Sequence, residues 1–424
     1  MAPSFWTPGR SSRRRPRRFA RAQPKLPGRE LQATPLQCSA GAESVFQQKL
    51  PRRRMSSTSA WVTKQQYLIT ELQTHGLRLA DPGEGAPSRR GGAGPSDHKA
   101  VNVMGTTVMV PIHTSPAARS PYLARKSGTN GTSILECDGD EVGVISFPRQ
   151  PRFYSYVTSD GVPAWKIAQL HSSDVLATTV LQTCVRYGNR ETACQFCAIG
   201  ESLRQGRTVA RKTPQQLAEV AAEAVRLDGV RHAVLTTGTP STPDRGAAVL
   251  CESASAIKGA AGIPIQGQCE PPADFTWFST LRSAGIDSLG MHLEAFDPKV
   301  RARIMPGKAT VSVEFYFKAF TEAVKVFGRG QVSTYLLAGL GDSIDDLIAG
   351  SADLISIGVY PFIVPFVPIT GTPLQNHPAP SSEFMRAVLQ PVGTMLREAR
   401  LVSSEIKAGC GKCGACSALS TFEK

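Results

Sequence analysis

Six of the ten cysteines stand in two tight groups, Cys184-x9-Cys194-x2-Cys197 and Cys410-x2-Cys413-x2-Cys416. Ten cysteines, so unevenly spread over 424 residues, are too few for a disulfide scaffold. Clustered thiols suit soft metals instead. Three thiolates from one excursion of the chain can hold three irons of a cubane and leave the fourth iron open to a small chelating molecule. Zinc is the competing reading of the first group. It asks for a fourth protein ligand, which His232 or Cys269 could supply. Spacing alone leaves both open. The compact second group is similar to ferredoxin-type ligation but lacks a fourth ligand within its motif. An auxiliary cluster, a structural metal site and a redox-sensitive tail all remain readings of it. The scattered His75, His98, His113, His171 and His377 show no ligand spacing.

These groups need elements to position them. From about residue 175, apolar strand candidates (177–184, 232–238, 264–270, 288–294, 331–340 and 353–360) alternate with helix candidates near 213–227, 245–258, 274–284, 311–326 and 343–350. The first helix opens with Thr213 as cap and Pro214 at its first position, carries Leu217, Val220, Ala221, Ala224 and Val225 on one face, and stops at Gly229. Strands separated by helices imply an α/β fold with a parallel sheet and right-handed crossovers, closed, partly closed or open. The first cysteine group directly follows the first of these strands, at the end where parallel α/β folds place their sites. Upstream, 101–160 holds short β-rich runs that predict a small module of its own. The expected divisions are a basic extension at 1–55 and a β-containing module at 56–170, interrupted by a Gly/Pro-rich loop at 81–100. An α/β domain at 171–375 and a C-terminal helix with the cysteine tail at 376–424 follow.

The net charge of +14 is mostly terminal. Residues 1–54 hold 13 Lys or Arg against Glu30 and Glu43, leaving about +3 for the rest. A basic tail is poor evidence for nucleic-acid binding, which is not expected. The tail is Arg- and Ser-rich, without the apolar stretch of a secretory signal. It reads as a disordered extension, an early start ahead of Met55, or an organellar import segment on an otherwise cytoplasmic chain. No apolar run approaches the length that crosses a bilayer, so no membrane association is expected.

Six stretches in order carry a resemblance: "CVRYGNRETACQFCAIG", "LTTGTP", "QCEPP", "GMHLEAFDPKVRARIMPGKA", "LLAGLGDS" and "VPFVPITGTPL", each after a predicted strand. With them the chain resembles the radical S-adenosylmethionine (SAM) superfamily, in its biotin-synthase-like branch. It looks closest to the radical SAM proteins of bacterial nitrilase and cyanide-utilisation gene clusters. The resemblance implies a parallel partial (β/α)6 barrel, with Cys184, Cys194 and Cys197 ligating a [4Fe–4S] cluster whose open iron is chelated by S-adenosylmethionine. It implies that Phe196 shields the cluster, that Thr236, Thr237 and Gly238 meet the methionine amine, and that Glu270 bonds the ribose or amine. Gly339 and Gly341 would approach the adenine, while His292, Glu294 and Arg303 would touch cofactor or substrate. One departure stands out: nine residues separate the first two cysteines, where the superfamily usually has three. The extra loop costs little in closure entropy, on the order of 1 kcal/mol.

The resemblance further implies a flavodoxin- or ferredoxin-like electron donor. It implies cleavage of S-adenosylmethionine to a 5′-deoxyadenosyl radical and hydrogen abstraction from a small, nitrogen-containing metabolite of nitrile or cyanide metabolism. A second iron–sulfur cluster on Cys410, Cys413 and Cys416 fits the same picture. The alternative is a zinc-stabilised interaction or nucleic-acid-associated protein without catalysis. That reading accounts for the cysteines and the basic tail, but not for the ordered motifs at the strand ends. No residue is singled out as catalytic, and the substrate and oligomeric state are not legible.

Overall fold

The computed structural model describes residues 57–81, 97–127 and 131–424, all within one unit of the chain, Cys38–Lys424. The basic extension, Cys38 and most of the Gly/Pro-rich loop lie outside the described residues.

Alternating apolar residues and two tight hairpins build the first sheet. Helix α1 (Ser57–His75) is followed by β1 (Arg78–Leu79), β2 (His98–Val103), β3 (Thr106–Pro111), β4 (Tyr122–Ser127), β5 (Thr132–Cys137) and β6 (Asp140–Ser146), in the order β1-β4-β5-β6-β2-β3. The β2–β3 turn has Met104 at φ 48° and Gly105 at φ 81°, and the β5–β6 turn has Asp138 at 48° and Gly139 at 99°. Two successive left-handed residues match the right-handed twist of the flanking strands. Leu68, Ile69 and Leu72 of α1 are buried in one core with Val101, Val103, Val108 and Val110 of the hairpin. Each fully buried aliphatic side chain contributes about 1.5–3 kcal/mol.

The second sheet positions the site. After α2 (Ala164–Ile167), β7 (Gln169–His171) pairs antiparallel with β8 (Val175–Leu181). Six parallel strands then run in chain order: β8, β9 (His232–Thr237), β10 (Ile265–Gln268), β11 (Ser288–Gly290), β12 (Val332–Ala338) and β13 (Val359–Pro365). The helices between them are α3 (Ile199–Arg204), α4 (Pro214–Asp228), α5 (Ala247–Ala261), α6 (Trp277–Ser283), α7 (Pro298–Ile304), α8 (Pro306–Ala309), α9 (Val313–Phe327) and α10 (Ile344–Ser356). Beyond β13 come α11 (Ser382–Glu398), α12 (Cys410–Cys413) and α13 (Leu419–Phe422). Strands β13 and β8 do not pair, so this is the curled, incomplete barrel of the expected fold class. Among the described residues, no helix is long and apolar enough to cross a membrane.

Local signals explain most of these elements. Thr213 and Gln216 form a reciprocal capping box at the start of α4, and Gly229, at φ 67°, closes it. One expectation fails. Residues 353–360 were expected as a strand, but 353–356 belong to α10 and the strand lies at Val359–Pro365. Ser343 and Asp346 cap α10, whose buried Leu347, Gly350, Ser351, Leu354 and Ile355 keep helical spacing through the apolar run. Strand β13 is buried along its whole length and lies at the sheet edge, where Pro361 and Pro365 need supply no ladder N–H.

Candidate active site

The C-terminal ends of β8, β9 and β10 and the loop after β11 meet at a cavity of about 420 Å³. Cys184, Cys194 and Cys197 line it together with Phe196, Thr236, Thr237, Gly238, Glu270, His292 and Glu294. The long loop that carries the cysteines is pinned at several points. Val185 N–H donates to Thr239 O at 2.8 Å, Ala193 N–H to Asn189 O at 2.8 Å, and Gln195 N–H to Ile304 O at 2.8 Å. Gly307 N–H donates to Thr192 O at 3.1 Å, and a Cβ on Gly307 would stand 2.5 Å from that oxygen. The extra residues are therefore a built loop closed on Asn189 and seated against α8.

Gly238 is required by close approach. A Cβ there would lie 2.1 Å from Thr183 O, the residue before the first cysteine. Its N–H donates to Leu181 O at 2.8 Å, so the end of β9 is pressed onto the strand that launches the cysteine loop.

Ion pairs at two carboxylates, Glu270 and Glu294, frame the cavity. Arg186 Nη2 stands 2.9 Å from Glu270 Oε2, and Thr239 Oγ1 donates to Glu270 Oε1 at 2.9 Å. Arg245 reaches the same carboxylate at 3.6 Å. Across the cavity, Lys308 Nζ meets Glu294 Oε2 at 3.0 Å. Burial, the largest single effect, disfavours the Lys308 ammonium, but Glu294 together with Tyr316, Glu270 and Cys194 outweighs it and holds the group protonated above its ordinary range. Glu294 itself has φ 70°, an uncommon conformation for a residue with a side chain. It is fixed by its N–H donating to Tyr335 O at 2.8 Å and by Leu337 N–H donating to its carbonyl at 2.9 Å.

Protonation follows burial. Burial pushes the Cys197 thiol up to about 12 and raises Cys194 further, with Glu294 adding to the latter. Metal binding here must displace those protons. Burial lowers His292 to about 3, with Lys308 adding to the effect. Its Nδ1 accepts from Tyr335 N–H at 3.3 Å, which puts the proton of the neutral ring on Nε2.

The donor set fits a cluster with S-adenosylmethionine. Three thiols from one loop face the cavity, and Arg186 Nη1 and Thr179 Oγ1 are buried at its wall without hydrogen-bond partners. Among the described residues, no three His, Cys, Asp or Glu side chains converge as a single ion would need. Cluster cysteines bind different irons and so stand apart.

Not every expected residue reaches the cavity. Arg303 is turned away, its Nη2 donating to Leu340 O at 3.0 Å. Gly339 and Gly341 do not line the cavity either. At φ 100° and 140°, they let the loop after β12 pack on Pro380 and on Val300 and Arg303. Conversely, Arg186 and Lys308 were not singled out for the site. Both lie inside stretches that carry the resemblance, Arg186 in "CVRYGNRETACQFCAIG" and Lys308 in "GMHLEAFDPKVRARIMPGKA", but neither was given a role there. The signal for Lys308 was its place near the end of the latter stretch.

The C-terminal cysteines are also folded in. Cys416 lines the same cavity, as do Gln268 and Tyr335 of the strands and Gln73, His98 and Met109 of the first sheet and its helix. Met109 N–H and Gln73 Nε2 both donate to Ala415 O, at 2.8 and 3.0 Å.

The radical SAM superfamily model matches residues 188–349. The match takes in Cys194 and Cys197 and begins just after Cys184. Bacteriochlorophyllide c C-7(1)-hydroxylase of Chlorobaculum limnaeum is 28% identical over 216 residues, 46% of this chain and 54% of that protein. The chain thus spans about half the length of the curated relative it matches. Methylornithine synthase has a similar structure (TM-score 0.42, 18% identity, 57% of this chain and 68% of that one). So does a radical SAM methyltransferase from Sphaerobacter thermophilus (TM-score 0.40, 14% identity, 71% of this chain and 82% of that one). Residues 188–349 are thus similar to the radical SAM superfamily, a family of enzymes whose cofactors are a [4Fe–4S] cluster and S-adenosylmethionine.

Proposed function

We propose that this chain is a radical SAM enzyme in which Cys184, Cys194 and Cys197 ligate the cluster and a small metabolite reacts in the cavity below them. The observation that carries the reading is the convergence of all three thiols, Phe196, the Thr236–Gly238 turn and Glu270 on one cavity. When bound, the cluster and S-adenosylmethionine supply reductive carbon–sulfur cleavage and a carbon radical able to take an unactivated hydrogen.

The chain's own residues position and shield. Glu270, held by Arg186 and Thr239, presents a fixed carboxylate to an amine or a ribose hydroxyl. Arg186 Nη1 is free to meet a carboxylate. His292 offers a neutral Nε2–H, and the Glu294–Lys308 pair keeps a charge-balanced wall beside Cys194. Leu337, Val364 and Phe366 make the remaining wall apolar and limit water. A cavity of about 420 Å³ suits a small ligand. A nitrogen-containing metabolite linked to nitrile or cyanide assimilation is the substrate class that the sequence resemblance supports, with a flavodoxin- or ferredoxin-like protein as electron donor.

Anaerobic reconstitution tests the ligand set. Wild-type protein should be brown and should change its visible and EPR spectra on addition of S-adenosylmethionine. Cys197→Ala should lose that response. A colourless wild-type protein that binds zinc instead of iron would support the non-catalytic alternative.

A further inference from the structure

We propose that His171 completes the C-terminal cysteine group, so that Cys410, Cys413, Cys416 and His171 hold a second iron–sulfur cluster at the inner end of the cavity. The motif alone supplies three thiols. Cys410 and Cys413 are three apart on α12 and share a face. Gly414, at φ 66°, then turns the chain back so that Cys416 joins them. The fourth donor comes from β7, more than two hundred residues away in sequence. His171 Nδ1 lies 3.5 Å from Cys413 Sγ, and its Nε2 lies 3.5 Å from Cys416 Sγ. The imidazole is buried, 9% exposed, between two thiols.

The surroundings are built to hold this group in place. Cys410 N–H donates to Gln266 Oε1 at 3.0 Å and Gly409 N–H to His232 Nδ1 at 3.2 Å. A Cβ on Gly409 would come within 2.1 Å of the Gln266 side chain, so the backbone itself is seated against the sheet. Gln268 Nε2 donates to Cys410 Sγ at 3.2 Å. Hydrogen bonds to sulfur of this kind tune cluster potentials. The four donors do not converge as a single zinc would require, whereas a cluster takes each donor on a separate iron. Cys416 and Gln268 line the cavity that also holds the first cysteine group, so the substrate would lie between the two metal sites.

This proposal does not depend on the first cluster, and its test removes that cluster. Full-length protein carrying Cys184→Ala, Cys194→Ala and Cys197→Ala is reconstituted anaerobically with iron and sulfide, then reduced and studied by pulsed EPR. It should retain iron and sulfide in equal amounts and show strong nitrogen hyperfine coupling. Labelling histidine with nitrogen-15 in this parent should change the coupling, a readout that requires no substitution at His171. Adding His171→Cys should keep the iron and abolish the coupling. Iron-free parent protein, zinc in place of iron, absence of nitrogen coupling, or coupling that survives His171→Cys would each overturn the assignment.

Discussion

Arg186 and Glu270 meet at 2.9 Å across the cavity wall, tying the loop that carries Cys184 to the end of β10. Both side chains are largely buried, 15% and 9% exposed. Removing Glu270 therefore strands the Arg186 charge away from water, and removing Arg186 leaves Glu270 with only the longer Arg245 contact at 3.6 Å. Loss of one partner of a buried pair costs about 3–5 kcal/mol, and pairs in contact couple by about 0.5–3 kcal/mol. Glu270→Gln and Arg186→Gln should each destabilise the protein, and the double variant should be more stable than the sum of the two losses predicts. Denaturant unfolding of all three variants measures this. Additive losses would show that the pair does not anchor the loop.

Gly238→Ala should disturb the metal site more than the fold. Its new Cβ must push on the backbone at Thr183, one residue before Cys184. Overpacking of this kind costs about 1–3 kcal/mol. The expected result is a modest fall in Tm with a marked loss of iron from the first site. Gly259→Ala is the control: a Cβ there meets nothing within 4 Å inside α5, so that variant should be unchanged or more stable.

His292 makes the protein acid-sensitive in a defined window. Its folded pKa of about 3 lies below the ordinary 6.5, so the unfolded chain binds the proton first as pH falls. The stability that depends on a neutral ring is complete above pH 6.5 and is lost progressively toward pH 3. One such group contributes a slope of up to about 1.4 kcal/mol per pH unit. His292→Gln should flatten the dependence of unfolding free energy on pH by that amount between 6.5 and 4. An unchanged slope would mean that the ring titrates freely in the folded protein.

What the sequence made legible follows from the range of the forces involved. The capped helix α4 and the buried parallel strands are written in local pattern, as are the two cysteine groups, because propensity and spacing act within a few residues. Contacts made by the fold are not so written. The Arg186–Glu270 pair joins positions 84 residues apart, and His171 carries no ligand spacing although β7 sets it between Cys413 and Cys416. Glycine motifs were legible as close approaches but not by partner. Gly238 faces the cavity, while Gly339 packs on Pro380. The misplaced strand at 353–360 shows an apolar run whose helical cap, ten residues upstream at Ser343, outweighed its β-branched composition.

Cys184 is the most direct test of the whole account, because it stands outside the family match and only the folded loop brings it to the other two thiols. The measurement is 5′-deoxyadenosine formation by anaerobically reconstituted protein with S-adenosylmethionine and a reductant, comparing wild type with Cys184→Ala. The account predicts product from the wild type and none above background from the variant. Equal product from Cys184→Ala, or none from a wild type with its iron in place, would contradict it.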